Sequence, residues 1–125
     1  MNSAGLAIEL KPAMLGHERL DAYQLAKELD LLAVTVAKRL PRGHAWVADQ
    51  LLRATGSAVL NIAEASGRSG ADRTQHFRIA KGSLFEADAA FDLLVHRALI
   101  KPDERARAHT LAVRVAQMLS GLIRG

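Results

Sequence analysis

Residues 50–68 read QLLRATGSAVLNIAEASGR, and their periodicity decides how the centre of the chain folds. The polar side chains advance by 3, 4, 4, 3 and 4 residues, with apolar side chains between them. At ~100° per residue, a helix with this spacing carries its polar side chains within about 40° of one line. The members of this polar line are Gln50, Arg53, Ser57, Asn61, Glu64 and Arg68. The stretch is therefore predicted to be an α-helix with one apolar and one polar face.

The polar line has two interpretations, which its spacing does not separate. It is either an ordinary solvated face or a network of hydrogen bonds at a helix interface. Asn61 and Glu64 have short side chains, and Glu64 and Arg68 are four residues apart, a spacing that allows direct pairing on a helix. Alanines flank the line and leave room for a neighbouring helix. Candidates for a structural polar network are Ser57, Asn61, Glu64 and Arg68.

Length and composition predict one all-α domain. The chain has 125 residues, of which 50% are hydrophobic but only 4% are aromatic. A core built from Leu and Ala is typical of packed helices rather than of a sheet sandwich. Residues 1–16 are expected to be an irregular N-terminal segment, and residues 17–125 to form the domain.

Helical periodicity divides that domain into four helices. They are predicted at about 17–38, 45–66, 73–98 and 103–123, with Pro41 and Pro102 in the breaks. Asp72 with Gln75 resembles a capping box at the start of the third helix. Four helices with short links predict an up-down-up-down four-helix bundle.

The first and fourth helices carry more apolar side chains than one core stripe needs. The surplus comes from Leu29, Leu31, Leu32, Val34 and Val36 in the first helix, and from Leu111, Val113, Val115, Leu119, Leu122 and Ile123 in the fourth. A core-facing stripe covers only part of a helix surface. We therefore expect the bundle to bury a second face against copies of itself.

Several classes of function are not supported by any sequence pattern. The chain has no cysteine, and its five histidines show neither the i,i+3 or i,i+4 pairs nor the Glu-x-x-His spacing of metal-binding bundles. No serine lies in a strand–turn–helix elbow, and Asp88 with Asp92 is interpreted as a solvated acidic face. A non-enzymatic protein without metal or cofactor is expected. Without a secretion signal or an apolar run of ~20 residues, a cytoplasmic location off the membrane is expected.

Charge is concentrated in the middle of the chain. The net charge is +4, but residues 38–81 carry eight basic and only three acidic side chains. Such a cluster is either ordinary surface charge or the electrostatic footprint of phosphate binding. Candidates for nucleic-acid contact are Arg39, Arg42, Arg53, Arg68, Arg73, Arg78 and Lys81.

Two linked motifs resemble one protein family. The motifs are Asn61-Ile-Ala-Glu64 with Gly67-Arg68, and Arg78-Ile-Ala-Lys-Gly-Ser-Leu84 with Glu86. They are similar to the Asn-Ile-Ala-Glu-Gly-x-Gly-Arg and Phe-x-Arg-Ile-Ala-x-Gly-Ser-Leu-x-Glu patterns of four-helix-bundle proteins encoded in intervening sequences of bacterial 23S ribosomal RNA genes. Here Phe77 directly precedes Arg78, without the intervening residue of that pattern. The likeness covers about residues 17–100. Ala65 stands where that family usually has glycine, which indicates that the second helix continues through this position.

The resemblance implies a homopentameric ring of bundles and no assigned enzymatic activity. A related branch, the accessory proteins of diversity-generating retroelements, binds nucleic acid, so non-specific binding of RNA or DNA is the leading expectation here. The alternative is a structural or adaptor protein whose ring binds a protein partner. Trp46 is the only aromatic residue on the basic side of the second helix, which argues against sequence-specific base reading.

Overall fold

The computed structural model describes residues 16–125, which form four α-helices. These are α1 (Asp21–Ala37), α2 (Ala45–Ser66), α3 (Gly70–His96) and α4 (Pro102–Arg124), with 3₁₀ turns at Gly16–Arg19 and Arg42–His44. The irregular segment expected at residues 1–16 lies, apart from Gly16, outside this range. The prediction of an all-α fold is confirmed.

Each helix packs against two neighbours. Helix α2 contacts α1 and α3, and α4 contacts α3 and α1, which closes the bundle. Short links make successive helices antiparallel. The predicted four-helix bundle is therefore confirmed, whereas its assembly into a ring stays a prediction.

The core is aliphatic around two phenylalanines of α3. Phe77 and Phe91 are its largest fully buried side chains. The buried positions of α3 recur every three or four residues, as expected for one core-facing stripe: Phe77, Ala80, Leu84, Ala87, Phe91 and Leu94. Helix α2 faces them with Leu51, Ala58 and Ile62, and it continues through Ala65, which is fully buried.

Most of the surplus apolar residues of α1 and α4 are covered within a single bundle. Each helix packs against two neighbours, so a wider stripe of its surface is buried than contact with one helix would bury. The residues half-buried in this way are Leu32, Val34, Leu122 and Ile123. Among the surplus residues, Leu31 and Val113 stay exposed. Self-association therefore rests on fewer exposed side chains than the sequence suggests, and it stays a prediction.

The start of α3 differs from the sequence-based expectation. The helix begins at Gly70, and Ser69 precedes it without a side-chain capping bond, so the predicted capping box of Asp72 with Gln75 is wrong. Asp72 lies inside the first turn, where a carboxylate is favoured by the positive end of the helix dipole. Its carboxylate accepts a hydrogen bond from Arg68 Nη1 at 2.8 Å. The Asp72 carboxylate therefore bonds to Arg68 and does not cap the backbone N–H groups of α3.

The link between α3 and α4 contains a residue in the left-handed region. Ala98 has φ of +59°. Its N–H donates to the carbonyl of Val95 and the N–H of Leu99 donates to the carbonyl of Leu94, both at 2.9 Å. This pair of bonds is the Schellman motif, in which the residue after the helix usually is glycine.

Candidate nucleic-acid interface

Hydrogen bonds connect α2 to α3 along the polar line. Asn61 Nδ2 donates to the carbonyl oxygen of Ser57 at 3.0 Å and to its Oγ at 3.2 Å. His76 Nδ1 lies 3.0 Å from Asn61 Oδ1, and Ser83 Oγ donates to Ser57 Oγ at 2.8 Å. We call Ser57, Asn61, His76 and Ser83 the interhelical polar network. Its two α3 members cannot be identified from spacing within α2.

Glu64 and Arg68 lie at the exposed end of α2 and are linked to this network through Asp72, whose carboxylate bonds Arg68 and lies 3.8 Å from His76 Nε2. Arg68 Nη2 is 2.6 Å from Glu64 Oε2, and its Nη1 is 2.8 Å from Asp72 Oδ2. Hydrogen bonding to Glu64, followed by that to Asp72, raises the pKa of Arg68 above its ordinary value. Water screens such exposed pairs. The structure therefore divides the polar line into an interface half and a solvated half.

Arg39 and Arg53 are each engaged by a neighbouring side chain. Arg39 Nη2 donates to Glu104 Oε1 at 2.6 Å and so connects the segment after α1 to the start of α4. This bond, together with the backbone N–H of Lys101, holds the pKa of Glu104 below its usual value. Arg53 Nη2 donates to Gln50 Oε1 at 3.2 Å, one turn away on α2. The positive charge of Arg39 is therefore balanced by the carboxylate of Glu104.

The seven basic candidates do not share one surface. Arg42 lies in the turn before α2, and Arg73 lies just after it, at the start of α3. The 22 residues of α2 put about 33 Å between these two ends. Arg73 also stacks over the ring of Phe77, 4.6 Å from its centroid, and donates to the carbonyl of Leu122 at 3.4 Å.

Arg78 and Lys81 do come together, in a groove between α3 and α4. Arg124 joins them from the last turn of α4. The groove encloses 450 Å³ and is completed by Gly82, Phe85, Ser120 and Ile123. None of the three cations forms an ion pair with another residue of the 16–125 range. We call Arg78, Lys81 and Arg124 the basic cluster.

An apolar cavity of 310 Å³ continues the same groove. Its wall contains Leu84, Phe85, Ala112, Val113 and Ala116. The Phe85 side chain is 62% exposed. The interpretation from Trp46 alone overlooked this residue, although the register of α3 identifies it: Leu84 occupies the core stripe, so Phe85 must point away from it.

An ion-pair cluster around Asp88 closes the far end of the apolar cavity. Arg105 donates to Asp88 Oδ1 at 2.6 Å and to Oδ2 at 3.3 Å, and His109 Nδ1 lies 3.0 Å from Oδ1. Burial raises the pKa of Asp88, but the bonds from Arg105 and His109 outweigh it and hold that pKa below its usual value. Burial also lowers the pKa of Arg105, and pairing with Asp88 raises it overall. The solvated face predicted for Asp88 with Asp92 is therefore wrong for Asp88.

Over residues 16–125, no group of three or more His, Asp or Glu side chains is arranged to hold a metal ion. No helix in that range combines the length and apolarity needed to cross a membrane.

The helices and their packing define an all-α four-helix-bundle protein. The chain belongs to the 23S rRNA-intervening sequence protein family, whose model matches residues 18–121. The resemblance inferred from the two motifs is thereby confirmed.

A solved structure supports the same fold. The chain is similar to a protein of unknown function from the S23 ribosomal protein family of Bacteroides thetaiotaomicron, with a TM-score of 0.77 and 21% identity. The alignment covers 83% of this chain and 96% of that chain. At this identity the likeness concerns the fold alone. The comparison with curated proteins gives no match.

Proposed function

We propose that the protein is a non-enzymatic nucleic-acid-binding protein that contacts backbone phosphates through the basic cluster. One observation carries the proposal: Arg78, Lys81 and Arg124 line a single groove without an ion-pair partner among residues 16–125. Unpaired cations on one surface attract phosphate and release its counterions on binding.

The ion pairs of the other basic residues make the proposed contact surface smaller. Arg39 and Arg68 each contact a carboxylate, at 2.6 Å in both cases. A cation so paired offers less net charge to a phosphate, since the ligand must compete with the carboxylate. The proposed contact surface therefore moves from the middle third of the sequence to α3 and the end of α4. The net charge of +4 agrees with phosphate binding.

Salt-dependent binding tests the proposal. Labelled RNA and duplex DNA are titrated with the protein at about 50 mM and about 200 mM salt, and binding is followed by fluorescence anisotropy. We expect affinity to fall steeply with salt. Arg78→Ala should weaken binding to both ligands and reduce the salt slope by about 1.

Arg114→Ala is the matched control, since it removes the same charge elsewhere. Arg114 is exposed on α4, two turns after Arg107, which lines the groove between α1 and α4. It should change binding much less than Arg78→Ala does. Absence of binding at low salt, or equal losses in the two variants, would contradict the proposal.

We also propose that copies of the chain associate through the outer face of α2 and α3. Trp46, Leu60 and Ile79 are exposed large apolar side chains on these helices. Helical spacing puts Trp46 and Leu60 on one side of α2, 14 residues apart, and exposed apolar surface is typical of protein interaction sites. The family resemblance makes five copies the expected number. Light scattering that finds only monomer at high concentration would contradict this proposal and leave a different protein as the partner of that face.

A further inference from the structure

The basic cluster and the apolar cavity are parts of one groove. Lys81, Phe85 and Ser120 line both. A ligand bound along this groove would therefore contact cations and an aromatic ring at the same time. Helix α3 supplies both, because its positions 78, 81 and 85 advance by three or four residues along the side that faces α4.

Phe85 is the aromatic centre of the groove. The other two phenylalanines of α3, Phe77 and Phe91, are fully buried, whereas the Phe85 side chain is 62% exposed. It lies between Lys81, one turn earlier, and Asp88, one turn later. An exposed ring bordered by cations can stack with a flat ligand and hold an attached anion.

Charge is distributed unequally along the groove. Three cations without ion-pair partners line one end, whereas Asp88 and His109 line the other, with Arg105 bonded to Asp88. At the Asp88 end, Arg105 and His109 are both bonded to Asp88, so the unpaired cations that attract an anion lie at the opposite end. The complementary ligand is anionic at the basic cluster and apolar and flat beside Phe85.

We infer that this groove binds single-stranded nucleic acid, with one base against Phe85 and the adjoining phosphates on Arg78, Lys81 and Arg124. The inference rests on the proposed function and specifies its ligand. In a duplex the bases are stacked inside and cannot reach the ring, whereas every base of a single strand has an accessible π-face. Stacking on one ring discriminates little between bases, so binding should be tolerant of sequence.

The alternative occupant of the groove is an amphipathic acidic peptide. A peptide helix bound in a groove is anchored by apolar side chains at i, i+3 or i+4 and i+7, so it needs a row of apolar subsites. The apolar cavity has 310 Å³, at the lower end of the range for ligand pockets, and its exposed aromatic wall is Phe85. A single base matches this space better than a row of side chains.

Three probes of equal length separate base contact from phosphate contact. They are single-stranded oligothymidylate of about 12 nucleotides, an abasic deoxyribose-phosphate strand, and a duplex. All are titrated with the full chain at one low salt concentration. We expect the single strand to bind more tightly than both the abasic strand and the duplex.

Substitution of Phe85 tests the base contact directly. Phe85→Ala should weaken oligothymidylate binding by roughly 5- to 100-fold and leave the affinity for the abasic strand unchanged. Phe85→Leu, which keeps the apolar bulk but removes the aromatic ring, should lose most of the same affinity. Leu31→Ala is the matched control, because Leu31 is similarly exposed, at 66% against 62% for Phe85, but lies on α1. It should bind like the wild type.

The outcomes distinguish the inference from the proposed function. Equal affinity for the single strand, the abasic strand and the duplex, unchanged by Phe85→Ala, would overturn the inference and leave phosphate binding intact. Absence of binding to all three probes would overturn both. Competition for the groove by an acidic amphipathic peptide, with no effect of oligothymidylate, would assign it to a protein ligand instead. Circular dichroism of each variant verifies that the bundle is folded.

Discussion

His76 on α3 donates a hydrogen bond from Nδ1 to Oδ1 of Asn61 on α2, across 3.0 Å. The direction follows from the amide of Asn61: its Nδ2 donates to Ser57, which leaves Oδ1 as the acceptor. Ser57 Oγ in turn accepts from Ser83. Both polar atoms of the Asn61 side chain therefore have partners in the bundle, and the network joins the two helices that share the most extensive contact.

Asn61→Ala should lower the free energy of unfolding by about 1–3 kcal/mol, because His76 loses its acceptor and Ser57 loses one of its two side-chain partners at a half-buried interface. Urea denaturation followed by circular dichroism measures the change. A denaturation midpoint equal to that of the wild type would show that the network contributes nothing to stability.

Glu64→Ala is the comparison for Asn61→Ala, since both residues belong to the same polar line. Glu64 pairs with Arg68 at 2.6 Å, but the carboxylate is exposed. Water screens an exposed i,i+4 pair, so Glu64→Ala should change stability much less than Asn61→Ala does. An effect of Glu64→Ala as large as that of Asn61→Ala would contradict the division of the line into an interface half and a solvated half.

The fold was largely predictable because helical periodicity depends on local sequence. The apolar stripe of α3 locates Phe77, Leu84 and Phe91 in the core from spacing alone. The start of α3 was less predictable. Asp72 resembles a cap in sequence, but its ion pair with Arg68 depends on how the chain turns between α2 and α3. Helix ends are decided by such competing contacts, which spacing does not report.

The candidate site was less predictable because it depends on which helices are neighbours. The charge count identifies Arg78 and Lys81, but it does not reveal that Arg124 meets them across the groove. It also assigns equal weight to Arg39, whose charge is balanced by Glu104 from a segment 65 positions away. Long-range pairing of this kind arises from the three-dimensional packing and not from local pattern.

Thr55→Val should lower the free energy of unfolding by about 1–2 kcal/mol. Thr55 is 1% exposed, and its Oγ1 donates to Asp30 Oδ1 on α1 at 2.7 Å. Valine keeps the shape but cannot donate, so the carboxylate of Asp30 loses a partner. Thermal denaturation of the variant measures the loss of stability.

Thr35→Val controls for the exchange of a hydroxyl for a methyl group. Thr35 is exposed, and its Oγ1 donates to the carbonyl of Leu31 within α1. The free energy of unfolding of the Thr35→Val variant should change by less than about 0.5 kcal/mol, as for most surface substitutions. A loss in Thr35→Val that matches the loss in Thr55→Val would point to helix propensity rather than to the bond with Asp30.

The Asp88 cluster should make stability depend on acid pH. Because the folded protein holds the pKa of Asp88 below its usual value, the charged form stabilises the fold above the unfolded-state pKa of about 3.9. That contribution is lost as the pH falls through the lower folded-state pKa. Melting temperatures from pH 7 down to about pH 2 should therefore fall more steeply in the wild type than in Asp88→Asn.

Asp49→Asn is the control for Asp88→Asn, because Asp49 is an exposed carboxylate without an ion pair in the described part of the chain. At pH 7, Asp88→Asn should destabilise the protein more than Asp49→Asn does, since His109 loses its carboxylate and Arg105 keeps only its 3.5 Å contact with Asp92. If both variants follow the same profile of stability against pH as the wild type, the cluster has no such role.

Two opposite substitutions should both stabilise the protein. Ala98 has φ of +59° in the Schellman motif after α3, a conformation that costs an L-residue about 1 kcal/mol but is free for glycine. Gly82 lies inside α3, and a Cβ there would meet no atom within 4 Å beyond its chain neighbours and the backbone of its own helix. Ala98→Gly removes backbone strain, and Gly82→Ala reduces the entropy of the unfolded chain.

Each substitution should raise the free energy of unfolding by roughly 0.4–1 kcal/mol, measured by urea denaturation. The two sites are separate in the sequence and share no hydrogen bond, so the double variant should show the sum of the single effects. Destabilisation by Ala98→Gly would mean that the left-handed turn is absent in solution. Destabilisation by Gly82→Ala, which adds a methyl group to the wall of the basic groove, would mean that another molecule packs closely against that position.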